Sequence, residues 1–125
     1  MEFGITRMIG DLKALGFNKV EAVTASDGTP FAVLRGFEIK LGRFAGRAID
    51  LALPAPPNFP QGVGAAIHVS TAPQLLPDGS VAGHHNVIAS PLGAEWRYWS
   101  HNFGWTGERT TRELLAQVNR IFHDA

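Results

Sequence analysis

Histidine and serine are the side chains in this sequence that could carry acid–base or covalent chemistry. Five histidines are present: the adjacent pair His84-His85, then His68, His101 and His123. A zinc site takes three or four ligands at helical or hairpin spacing. Neighbouring histidines project in different directions from any regular element, and no HExxH-type motif accompanies them. The pattern therefore predicts no metal site, and these histidines read as loop side chains bonded to backbone. Ser90 and Ser100 lie close to histidines along the chain. No GxSxG elbow is present, and a hydroxyl without a positioned base is a weak nucleophile. A small hydrolase or ligand-binding protein using the His84–His101 region is thus an alternative reading. The glycines and arginines of Gly42-Arg43-Phe44-Ala45-Gly46-Arg47 fit neither phosphate-binding fingerprint and read as a solvated hairpin turn. No cofactor is expected.

Cysteine is absent from all 125 residues. Disulfides, thiolate ligands and thiol nucleophiles are excluded with it, and the absence fits a cytoplasmic protein. Eleven basic residues balance eleven acidic ones for a net charge of +0. That balance supplies no electrostatic attraction for nucleic acid or an anionic membrane. The N-terminus lacks the basic, then apolar, pattern of a signal peptide. No apolar run reaches the roughly 18 residues that span a bilayer. The length predicts one domain over residues 1–125.

The elements that must position any site follow from periodicity. Ile5, Met8, Ile9, Leu12 and Leu15 recur at helical spacing and stop at Gly16, predicting a helix over residues 4–15. Val20 to Ala25, Phe31 to Leu34, Phe37 to Leu41 and Ala48 to Leu53 read as short strands joined by turns. Asp27-Gly28 is the strongest turn signal, and Gly36 marks a bulge or bend. The pattern predicts an antiparallel four-stranded meander. Pro54, Pro56, Pro57 and Pro60 then interrupt the sheet, because proline fixes φ and cannot donate to a ladder. Ala66 to Val69 predicts one further short strand. Residues 70–95 show turn residues without a clean period and read as a long ordered loop. Thr110-Thr111-Arg112-Glu113 is a capping box. Leu114, Leu115, Val118, Ile121 and Phe122 form the apolar stripe of the last helix. The fold class is α+β.

All three tryptophans fall within Trp96-Arg97-Tyr98-Trp99-Ser100-His101-Asn102-Phe103-Gly104-Trp105. Aromatic side chains carry large buried area. At least two of these tryptophans should be buried and anchor the C-terminal helix. Trp96, Tyr98, Trp99 and His101 are the candidate binding residues.

This order of elements resembles the ubiquitin-conjugating (UBC) fold. Leu53-Pro54-Ala55-Pro56-Pro57-Asn58-Phe59-Pro60 resembles the family's tyrosine-proline flap. His85-Asn86-Val87, within His84-His85-Asn86-Val87, resembles its histidine-proline-asparagine motif, with His85 where the proline would stand. Trp105-Thr106 through Leu114-Leu115 resembles the tryptophan and helix after the family's active site. Gly42-Arg43-Phe44-Ala45-Gly46 and Trp96-Arg97-Tyr98-Trp99-Ser100-His101 look like a divergent bacterial branch, encoded beside ubiquitin-like proteins and activating enzymes. The likeness covers nearly the whole chain.

The resemblance implies transthiolation, and here the sequence departs from it. Family spacing places the reactive cysteine near Ala94 counted from Asn86, and near Arg97 counted back from Trp105. Neither is cysteine, so no thioester can form. His85, Asn86, Ala94 and Arg97 mark the family's active-site region without supplying its chemistry. The leading expectation is a noncatalytic adaptor that binds a ubiquitin-like protein, its activating enzyme, or both. The alternative within the family is a true conjugating enzyme whose cysteine has been replaced. The sequence leaves the oligomeric state open.

Overall fold

The computed structural model describes residues 3–76, 79–80, 86–106 and 110–125. It is a small α+β domain in which N- and C-terminal helices flank an open antiparallel sheet. The elements are α1 (Gly4–Ala14), β1 (Val20–Thr24), β2 (Pro30–Glu38), β3 (Ala48–Pro54), β4 (Ala66–Ser70), β5 (Gly79–Ser80), β6 (Asn86–Ser90), β7 (Gly93–Ser100) and α2 (Thr111–Asp124). The sheet order is β1-β2-β3-β4-β7-β6-β5. Six strands have five or more residues, and β5 is a two-residue edge piece.

Two expectations are corrected. The meander of four strands is part of this larger sheet. Pro30 to Glu38 is one strand rather than two, with its register shifted between Leu34 and Phe37. Gly36 sits in that shift at φ 65°, a conformation that glycine takes without a Cβ clash. The long loop over 70–95 is replaced by β5, β6 and the start of β7. Ser90 pairs with Gly93 around a two-residue Pro91-Leu92 turn, where proline pre-sets the first turn residue. Among the described side chains of the short β6 run only Val87 is buried, while Ile88 and Ala89 are exposed. That leaves little of the alternation that reveals a strand.

Both helices cover one face. Met8 and Leu12 of α1 and Leu114, Val118, Ile121 and Phe122 of α2 pack on Leu34, Leu51, Leu53, Ile67, Val69 and Trp99. Trp99 meets the Phe122 ring at 5.5 Å and 62°. The proline-rich segment lies outside the sheet between β3 and β4, with Ala55 and Phe59 fully buried. The Trp105 Nε1–H donates to the Pro60 carbonyl at 2.8 Å. The start of α2 is tied to the last turn of α1: the buried Thr111 hydroxyl donates to Asp11 Oδ2 at 2.7 Å, and Arg7 Nε donates to both oxygens of the same carboxylate.

The capping box forms as expected, with Glu113 N–H donating to Thr110 Oγ1 at 3.2 Å and Glu113 Oε1 accepting from Thr110 N–H. Replacing Thr110 by alanine removes an acceptor for a first-turn amide. The expected loss is about 1 kcal/mol of stability, read from denaturant unfolding. A midpoint equal to that of the parent protein would refute the assignment.

The second face holds a smaller core of Ala25, Phe31, Val33, Ala52 and Trp96, with Val23 and Leu92 against it. Trp96 therefore does not anchor the helix; it belongs to the opposite face from Trp99, as adjacent-but-odd spacing in a strand requires. Among the described residues no helix covers this core. The tips of two hairpins meet over it instead, where Ser26 Oγ–H donates to the Pro91 carbonyl at 3.0 Å and the Ser26 N–H adds a longer bond at 3.4 Å.

Candidate functional site

Two concavities border the β7 hairpin and the segment that follows it. The larger is a cleft of about 1010 Å³ where β7 runs into residues 101–105 beside the C-terminal half of α2. Tyr98, Ser100, His101, Phe103 and Trp105 line one side, and Gln117, Arg120 and Ile121 the other. The segment is held by backbone and side-chain bonds. His101 N–H donates to the Ala65 carbonyl at 2.8 Å, Gln117 Nε2–H to the Phe103 carbonyl at 2.9 Å, and Gly104 N–H to Asn102 Oδ1 at 2.9 Å. The His101 and Phe103 rings meet edge to face at 4.6 Å. Arg120 and Asp124 place opposite charges 3.9 Å apart at the rim, so the cleft offers aromatic surface and hydrogen-bonding groups without a strong field of one sign.

The smaller concavity, about 530 Å³, lies between the two hairpin tips and is lined by Ser26, Ala89, Ser90, Leu92 and Ala94. Behind it stands His68. One register row across the second face runs Val33, Ala52, His68, Tyr98, Ile88. It places the imidazole edge-on to Phe31 at 4.6 Å and to Tyr98 at 5.3 Å. His68 is 3% exposed. Its Nδ1 lies 2.8 Å from Ser90 Oγ, and Ser90 Oγ also accepts the Leu92 N–H at 3.1 Å. Oγ thus accepts the Leu92 N–H and shares one further hydrogen bond with Nδ1, donating it when the imidazole proton sits on Nε2. Burial pushes the His68 pKa down to about 4, against the opposing pull of the Asp27 charge. Hydrogen bonds from Thr29 hold the Asp27 carboxyl itself below its usual range.

The residues singled out in the sequence fall in different places. Trp96 and Trp99 are core side chains, while Tyr98 and His101 reach the large cleft. Ala94 is exposed on β7 and borders the small slot. Arg97 reaches back to it, its Nη1–H donating to the carbonyls of Ala94 and Trp96, both at 2.9 Å. Asn86 opens β6. His84 and His85 lie outside the described residues. Among the described residues no group of three or more His, Asp or Glu side chains is arranged to hold a metal. No described helix is long and apolar enough to cross a membrane.

The Ser90–His68 contact is the feature that sequence reading missed. Ser90 has a base after all, supplied 22 residues away by a strand two places along the sheet. The available signal was a lone histidine within Ala66-Ile67-His68-Val69-Ser70, where alternation puts it on the face opposite Ile67 and Val69.

Comparison with family models, with curated proteins and with solved structures returns no match.

Proposed function

We propose that this domain is a cytoplasmic protein-binding adaptor of UBC type that engages a ubiquitin-like protein through the cleft between residues 101–105 and α2. The observation that carries a binding role is the cleft itself, with Tyr98, His101, Phe103 and Trp105 gathered beside polar groups of α2. Aromatic side chains in a concave site are the usual source of binding energy at protein interfaces. The class of partner comes from the sequence likeness. The absence of cysteine supports binding over thioester transfer, since no other side chain supplies a thiolate. In this reading the proline-rich segment serves as the family's flap, and Trp105, bonded to the Pro60 carbonyl, holds it to the cleft.

Calorimetric titration with the ubiquitin-like protein of the same conjugation system tests the reading. Saturable binding is expected, weakened several-fold by Arg120→Glu at the rim. The Arg120 side chain is 82% exposed, so the fold should be unaffected. Absence of heat at accessible concentrations, or equal affinity for the variant, would count against the cleft.

A further inference from the structure

The small slot on the second face holds a hydroxyl in contact with a buried imidazole, and the binding role makes no use of it. We propose that Ser90 is a reactive hydroxyl whose proton is taken by His68, so that the slot accepts short acyl groups from activated esters.

The geometry has the parts such a step needs. The 2.8 Å contact between Ser90 Oγ and His68 Nδ1 lies within general-base reach. The ring cannot turn away, because Phe31 and Tyr98 hold it edge-on. Its neutral form is the one present at neutral pH, and the tautomer with hydrogen on Nε2 presents Nδ1 as the acceptor. The Leu92 N–H bonds to Oγ and fixes its position beside Nδ1. Burial disfavours the imidazolium that forms, and Asp27, on the opposing hairpin tip, offsets part of that cost. Ser90 is half-buried, and the slot walls of Ala25, Ala89, Leu92 and Ala94 are small or apolar. These limits select a short, uncharged acyl chain.

The step balances on this chain's groups and the ester. Oγ forms a bond to the acyl carbon as its proton passes to Nδ1. The ester's own carbon–oxygen bond breaks, and the leaving alkoxide or phenolate departs with the electron pair. Where the leaving group is basic enough, it collects the proton from the imidazolium. Water reverses the roles in a second step: it gives a proton to Nδ1 and its oxygen to the acyl carbon. The Ser90 oxygen then leaves and recovers a proton, releasing a carboxylic acid.

The experiment is acetylation of the intact protein by p-nitrophenyl acetate, followed by peptide mass spectrometry over time. Ser26 is the internal control, since its hydroxyl donates to a carbonyl and touches no base. Ser90 should acquire acetyl about a hundredfold faster than Ser26, within the range of a positioned general base. Its rate should stay level from mildly acidic to neutral pH, because His68 is unprotonated throughout; a hydroxide-driven reaction climbs steadily instead. His68→Gln should abolish the difference. Comparison within the unmutated protein keeps the test decisive even if that variant folds poorly. Equal labelling of Ser90 and Ser26, or a Ser90 rate that climbs steadily with pH, overturns the proposal.

Discussion

Trp99→Ala is expected to cost about 3–5 kcal/mol, the range for truncating a large buried aromatic. Trp99 is 1% exposed and is the side chain of β7 that meets α2 through Phe122. Domain stabilities are about 5–15 kcal/mol, so the variant should be near the edge of folding. The loss should also have a direction. Amide hydrogens of α2 should lose protection from exchange, because the helix is held by this contact and by Leu114, Val118 and Ile121. Trp96→Ala, on the other face, should leave α2 protection largely intact. Denaturant unfolding with hydrogen-exchange mass spectrometry checks both. A Trp99→Ala loss under about 1 kcal/mol, well below the expected range, would show that the helix is anchored elsewhere.

The second large effect is on pH. His68 titrates near 4 in the folded protein and at about 6.5 in an unfolded chain. As pH falls through that interval the unfolded state takes up a proton that the folded state refuses. Stability from this group is therefore complete above about pH 6.5, declines down to about pH 4, and then levels off. Each pKa unit corresponds to 1.36 kcal/mol, so the whole decline is about 3 kcal/mol. In His68→Phe this part of the pH dependence should vanish, leaving the slope due to carboxylates. Unfolding midpoints of the two proteins that change in parallel between pH 6.5 and 4, the interval set by the shift, would contradict the assignment.

The parts of the fold legible in the sequence are those whose pattern is local. The capping box at Thr110 and the stripe from Leu114 to Phe122 determine α2 without reference to the rest of the chain. The same holds for α1 and for the bulge at Gly36. The two strands hidden in residues 79–90 were not legible. β5 has two residues and β6 exposes Ile88 and Ala89, so neither shows an alternating apolar face, and the pairing of β6 with β7 and of β5 with β6 is what defines them. The site divides in the same way. Aromatic crowding between Trp96 and Trp105 located the cleft, but strand alternation sends Trp96 and Trp99 into two different cores and leaves Tyr98 and His101 at its surface. The Ser90–His68 contact depends on β4 and β6 flanking β7, a relation that no spacing along the chain encodes.

The central claim is that the cleft beside α2 is a protein-binding surface. It is tested most directly by titrating the isotopically labelled domain with the proposed partner, a ubiquitin-like protein, and following backbone amide shifts. The account predicts dose-dependent shifts centred on Tyr98, Ser100, His101, Phe103, Gln117 and Arg120, with β1 and the Asp27 turn unmoved. Shifts centred on β1 and the Asp27 turn, or none at saturating partner, would contradict it.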